Sequence, residues 1–277
     1  MAHTFSMADI RYVLLATAVI FVAEALTGAL KGARRGDFAV TSLCFAVNSA
    51  VTRPLAGAAI AWAAVALIPE LAGRLSGTPL WLSALGNLLL MELAFYWVHR
   101  LAHEGQRASS GLGWLWALHR THHSATHLNV SVTIRQNVFW AFVVPNSWII
   151  GVSAYLGLGE GAALALLVIY GWNLLTHTNW RWDEAISHPA LAPFMRALQH
   201  VIVLPSMHHA HHGFGDNGKM YKNYAVFLAL FDWIFGSLFI PDGRPARYGV
   251  PGPQAHWVEE AFAPLVTIAP KARPRTP

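Results

Sequence analysis

Three short segments carry imidazoles at helical spacing: His99-Arg-Leu-Ala-His103, His119-Arg-Thr-His122-His123 and His208-His-Ala-His211-His212. Residues three and four apart share one face of a helix, so each segment aims two or three rings at one point. Neutral imidazole ligates iron, zinc, copper or nickel. His99, His103, His119, His122, His123, His208, His211 and His212 supply eight ligands, too many for one ion and suited to two. The Glu-x-x-His pairs of carboxylate-type di-iron bundles are missing, and a catalytic zinc needs only about three protein ligands plus water. Because imidazoles carry no charge, the metals keep theirs, and an oxide, hydroxide or carboxylate must lie nearby.

The elements that must position these rings are apolar. The chain is 55% hydrophobic and 12% charged, against about 25% charged in a soluble domain. Five stretches, 11–30, 54–72, 80–98, 136–157 and 161–178, approach the ~20 residues that span a bilayer core, and in lipid these must be helices. The piece Phe38–Ser49 is too short to span and is expected at the interface. Turns are expected at 73–79 and 157–161. The first stretch has no closing small-residue cleavage site, so it reads as a retained anchor rather than a signal peptide.

Of the nineteen Lys and Arg, only Arg11 and Arg74 fall outside when Lys31, Arg34, Arg35 and Arg53 are placed on the cytoplasmic side. All the histidine segments then share the cytoplasmic face. The net charge of +5 expresses this topology, not nucleic-acid binding. Cys44, the only cysteine, excludes an intramolecular disulfide, a Cys-based zinc site and a Cys-ligated iron–sulfur cluster. The expected fold is all-α: an integral membrane helical bundle of four to five transmembrane helices, with a cytoplasmic helical cap carrying the histidines. Residues 1–79 read as N-terminal anchor helices, 80–242 as the histidine-bearing catalytic domain, and 243–277 as a Pro-rich tail; the pieces Pro241–Gly252 and Pro264–Pro277 are expected to be poorly ordered. The aromatic piece 224–240 is expected to be an interfacial or capping helix.

The order and flanks of the three segments resemble the fatty acid hydroxylase/sterol desaturase superfamily of membrane di-iron oxidases, over roughly residues 80–242. The first flank is Glu92-Leu-Ala-Phe-Tyr-Trp-Val-His99. The second runs on through Asn129 to Ile134-Arg135-Gln136. The third is Pro205-Ser206-Met207-His208, followed by Lys222-Asn223-Tyr224 and Asp232-Trp-Ile-Phe-Gly. The flanks lean toward an alkylglycerol monooxygenase-like branch. Tyr221 and Ala225 depart from the acid and glycine common around Lys-Asn-Tyr, which leaves branch and substrate open. The resemblance also implies a ninth ligand, His177, in the context His177-Thr178-Asn179. It implies two iron ions (zinc being possible in a purified sample), O2, and an external ferredoxin- or cytochrome-type electron donor. It implies hydroxylation of an unactivated C–H bond of a fatty acyl, alkyl-glycerol or sterol-type lipid; the expected location is a bacterial inner membrane, crossed several times.

A ligating imidazole donates its second N–H to a carboxylate or carbonyl. Glu92, Asn223 and Asp232 are the main candidates for such partners, with Glu104 and Asn173 behind them. For Glu92, interhelical hydrogen bonding weighs equally, and Glu24 is read as structural. His127, His188, His200 and His209 are weaker ligand candidates, and His3 and His256 are expected to have no role. Rival readings are a desaturase of the same chemistry, a zinc-dependent membrane hydrolase, and a metal-binding or transport protein. A transporter would place its ligands near the bilayer midplane rather than at one end of the helices.

Overall fold

A computed structural model describes residues 10–268. The protein is an all-α membrane bundle with a single two-stranded ribbon among the described residues. Helix α1 spans Ile10–Leu26 and α2 spans Arg35–Val47. A π-turn, Asn48–Thr52, joins α2 without interruption to α3, Arg53–Leu67. Phe38–Ser49 is therefore not a separate interfacial piece but part of one 33-residue apolar helix. The physical reason lies at Pro54. Its ring would clash with a carbonyl four residues back, and the wider π-turn relieves that clash without ending the helix.

Helix α4 runs Leu80–Glu104 and α5 runs Gly113–His123. The expected span 136–157 is broken. Residues 136–144 hold one short 3-10 turn, Trp140–Phe142, and the α-helix proper is α6, Pro145–Leu156. Two causes are visible. Pro145 fixes the helix start, and the backbone ahead of it pairs elsewhere: Val138 N–H donates to Ala261 O at 3.2 Å. Gly157, at φ 91°, turns α6 back into α7, Gly159–His177. Three helices, Arg35–Leu67, Leu80–Glu104 and Gly159–His177, are long and apolar enough to cross a membrane. The 17 residues of α1 and 12 of α6 make shorter rods than the sequence suggests. Leu67, Trp62 and Trp81 stand 78%, 74% and 68% exposed on α3 and α4, as side chains facing lipid do.

The axis of the bundle is the α4–α7 pair. Gly161 lets the two helices close up, since a Cβ there would lie 2.1 Å from Ser83 Oγ; small residues serve this purpose in membrane interfaces. Met91, Ala162, Ala165 and Ile169 fill the seam. The cap consists of short elements gathered where α4 and α7 end: α8 (Ala192–Leu198), α9 (Pro205–His212), α10 (Leu230–Ile234) and α11 (Trp257–Phe262). Strand β1, Gly213–Phe214, pairs antiparallel with β2, Arg247–Tyr248. The piece 224–240 is thus a loop with one short helix rather than a long capping helix.

Of the two Pro-rich pieces expected to be poorly ordered, 241–252 contributes strand β2, and the stretch between the two pieces folds as α11. α11 sits against α2 and α5, with Glu260 and Ala261 buried. Residues 269–277 lie outside the described residues.

Candidate metal centre

Nine histidines from four helices converge in two groups. One comprises His99, His103, His119, His123 and His211; the other His122, His177, His208 and His212. Within each group the ligand atoms lie within 4.8 Å of one another. The partition follows from helix geometry. His99 and His103, His119 and His123, and His208 and His212 are i, i+4 pairs, and each pair enters one group. Consecutive residues on a helix diverge by about 100°. His122 and His123 are accordingly held at an interplanar angle of 89°, as are His211 and His212, and each neighbour serves a different group. The groups abut: the His123 and His212 rings stack across the boundary with centroids 4.2 Å apart.

Every one of these rings is buried. Burial holds the cap imidazoles neutral, their pKa values pushed well below the ordinary range, to about 4 for His122 and about 3 for His211. Lone pairs are thus available for metal at neutral pH.

In three of the rings the second nitrogen is tied to a backbone carbonyl. His99 Nδ1 donates to Tyr224 O at 2.6 Å, His177 Nδ1 to Asn173 O at 2.8 Å, and His211 Nδ1 to Lys222 O at 2.8 Å. This fixes the tautomer with Nε2 unprotonated. The free Nε2 atoms of His99 and His211 then face each other at 3.0 Å, and His177 Nε2 lies 3.1 Å from His208 Nε2. Two acceptors at that distance repel unless a cation lies between or beside them. Buried nitrogens of His103, His119, His123, His208 and His212 also lack any partner, a cost the fold bears only where something else satisfies them. The donor set fits two imidazole-ligated metal ions.

Glu92, Asn223 and Asp232 do not touch the imidazoles as expected; they act one bond further out. Asp232 accepts N–H from Tyr224 at 2.8 Å and Ala225 at 2.9 Å. Asn223, at φ 58°, accepts Phe239 N–H at 2.7 Å and donates to Met207 O at 3.0 Å. Glu92 accepts Phe227 and Leu228 N–H at 2.9 and 2.8 Å. Together they freeze the 222–228 backbone whose carbonyls hold His99 and His211. Asn173 contributes its carbonyl to His177, and Glu104 pairs with Arg107 instead.

The remaining histidines stay outside both groups. His127 lies against Ala29 O, His200 against Arg196 O, and His209 between Tyr248 Oη and Thr178 O. His188 marks a turn, accepting from Ala190 N–H, and His256 caps α11. His3 is outside the described residues.

Glu260 had no signal in the sequence, and Arg135 and Gln136 stood out there only as part of the second flank. Arg135 is fully buried. Its guanidinium donates to Thr121 O at 2.9 Å, Asp37 O at 2.7 Å and Ser124 Oγ at 2.8 Å, and pairs with Glu260. Thr121 and Ser124 bracket His122 and His123, so this clamp sets the second histidine segment. Glu24 is structural as expected, accepting Val130 and Asn179 N–H at 3.0 and 2.6 Å, and so anchors the chain after His127 and after His177. Gln136 reaches His122 Nδ1 at 3.2 Å, and its carbonyl is held by Asn48 from the π-turn at 2.9 Å.

A chamber of about 90 Å³ opens beside the centre, walled by His99, His119, His122 and His208. Arg53, Thr133, Asn146, Ser147 and Tyr170 are shared between this chamber and a cavity of about 260 Å³ among α1, α3, α6 and α7.

The model of the fatty acid hydroxylase family matches residues 84–237, more than half of the chain. The chain belongs to that family. It is 32% identical over 173 residues to alkylglycerol monooxygenase of Danio rerio and 33% identical over 178 residues to that of Homo sapiens, each match covering 62% of this chain. The chain spans about a third of the length of these relatives. No solved structure matches it. The matched region holds all nine clustered histidines but neither Glu24 nor Glu260.

Proposed function

We propose that this chain is an O2-dependent membrane oxygenase that hydroxylates an unactivated C–H bond of a lipid-like substrate. The observation that carries the reading is the pair of abutting, fully buried imidazole groups, five rings and four. Each exceeds the three protein ligands of a catalytic zinc, and His99, His103, His119, His123 and His211 would hold one iron while His122, His177, His208 and His212 hold the other. Bound iron would supply the redox chemistry, whose balance is R–H + O2 + two electrons + two protons → R–OH + H2O. The electrons come from a separate ferredoxin- or cytochrome-type donor, docked through basic residues on the cytoplasmic face of a bacterial inner membrane.

The chain's own part is geometric. Backbone carbonyls of Tyr224, Asn173 and Lys222 orient the rings. Apolar packing keeps bulk water from them. The membrane cavity leads a lipid chain to the His99–His208 wall. Residues 80–242 are the metal-holding unit, braced from outside by Glu24 of α1 and Glu260 of α11. The relatives named for alkylglycerols support an alkylglycerol-type lipid as substrate.

The test is oxygen uptake by the iron-loaded protein with a reduced ferredoxin, and mass analysis of the lipid. A gain of one oxygen per molecule is expected. A single zinc per chain, with lipid cleavage that needs no oxygen, would overturn the reading.

A further inference from the structure

Five of the six buried asparagines among the described residues have a donor aimed at the side-chain oxygen. Asn48 accepts from Thr52 Oγ1 at 2.7 Å, Asn87 from Ser153 Oγ at 2.7 Å and Asn129 from Ser131 Oγ at 2.6 Å; Asn137 and Asn223 accept Phe139 and Phe239 N–H at 2.9 and 2.7 Å. Asn146 is the sixth. It is 7% exposed, and its Oδ1 is buried with no partner. A buried acceptor without a donor costs free energy, so a donor from outside the fold is expected there. Glu92, Gln199, Ser206 and Arg244 also keep one buried polar atom unpaired, but none of them borders the metal chamber or the membrane cavity, whereas Asn146 borders both. It is the second residue of α6, directly after Pro145, and stands where the two spaces share their lining.

What reaches that oxygen must be a hydrogen-bond donor on an apolar stem. Val13, Ile60, Ile150, Leu166 and Leu174 line the cavity beyond Asn146. Along α6 the lining runs from Asn146 to Gly151, roughly 7.5 Å of helix. At about 260 Å³ the cavity sits below the ~300–1,000 Å³ of drug-sized pockets, which suits one alkyl chain and not a sterol body. Ester, ether and carboxylate heads bring acceptors only and leave Oδ1 unpaired. An ammonium head would donate, but it would lie beside the guanidinium of Arg53, which lines both spaces as well. A neutral hydroxyl head meets both conditions.

We propose that Asn146 is a specificity-determining residue: its Oδ1 accepts the O–H of a neutral, hydroxyl-headed single-chain lipid whose tail lies in the α1–α3–α6–α7 cavity. The bond selects lipids with a free hydroxyl over those in which that oxygen is alkylated or acylated, since the latter strand the amide oxygen. It also orders the chain. The head end, not the terminal methyl, borders the chamber walled by His99, His119, His122 and His208. The substrate role of this lipid rests on the oxygenase reading; its binding does not.

The experiment is binding of 1-O-decylglycerol and its 2,3-di-O-methyl ether to the full chain in nanodiscs, with affinities referred to ligand dissolved in the bilayer. The two ligands share the decyl tail and differ in the O–H donors. The parent is expected to bind decylglycerol about fivefold more tightly, the equivalent of about 1 kcal/mol for one hydrogen bond. Asn146→Leu, close in size but without an acceptor, should bind the two ligands alike, and unchanged affinity for the dimethyl ether shows that the variant is folded. Asn146→Ala also lacks an acceptor, should behave the same way, and decides the matter if leucine does not fit. Asn146→Asp keeps an acceptor and should keep the preference. Equal binding of both ligands by the parent would overturn the proposal, the amide oxygen then being satisfied by water or by a neighbouring side chain. A preference that persists without the acceptor would overturn it too, because the added methyl groups and not the hydrogen bond then decide binding. A parent preference for the dimethyl ether would mean that the amide NH2 faces the head, and counts against it equally. Binding needs neither iron nor oxygen, so these failures leave iron loading and oxygen uptake untouched and the two readings are tested separately.

Discussion

Removing Glu260 perturbs the metal centre from a segment beyond the histidine-bearing region. Glu260 is 5% exposed and pairs with Arg135, which is 0% exposed. Glu260→Ala leaves a buried guanidinium without its main counter-charge, a change that typically costs about 3–5 kcal/mol. Asp37 Oδ1 remains 3.8 Å from Arg135 Nη2, which favours the lower end of that range. Because Arg135 holds Thr121 and Ser124, the cost falls on the turn that carries His122 and His123. At about 1.4 kcal/mol per decade, opening of that segment becomes roughly a hundredfold more frequent. The assay is thermal unfolding in detergent together with metal content after dialysis. Glu260→Ala should unfold earlier and lose metal faster. The double variant Arg135→Met/Glu260→Met should be no worse than the single one, since no charge is left stranded. Single-variant stability within about 0.5 kcal/mol of the parent, the range of ordinary surface changes, would refute the clamp.

Asp232→Asn should misplace His99, because one of the Tyr224 and Ala225 N–H groups would meet an amide NH2; a loss of about 2–4 kcal/mol and weakened iron binding are expected in unfolding and metal-retention measurements. Glu92→Leu strips the acceptor from Phe227 and Leu228 N–H within the bundle and should destabilise by about 2–3 kcal/mol, whereas Glu92→Gln, which keeps one acceptor oxygen, should cost less. Gln136→Ala leaves the nine rings in place, so metal content should survive while the His122 resonance in a paramagnetic NMR spectrum shifts.

The histidine segments were legible because their logic is local. An i, i+4 pair points one way on any helix, and a neighbour points about 100° away, which is how His122 and His123 come to serve different groups. His177 is legible only through the family resemblance, as a single histidine at a helix end. What reads poorly from sequence depends on contacts distant along the chain. Arg135 and Glu260 are 125 positions apart, and nothing in a Pro-rich tail marks one glutamate as buried. Hydropathy alone makes 136–157 a helix, but the Val138 N–H finds its partner in α11, at Ala261 O. Carboxylates beside a histidine centre suggest direct contact with the rings. Here the carbonyls of Tyr224 and Lys222 take that place, and a carbonyl carries no sequence signature.

The account's central claim is that the nine imidazoles make two separate metal sites. Metal analysis against protein concentration tests it most directly, on the iron-loaded parent, on His103→Ala from the five-ring group and on His212→Ala from the four-ring group. The parent should hold two irons per chain, and each variant should retain about one, lost from its own group, while still inserting in the membrane. One metal in the parent, or two in both variants, would contradict it.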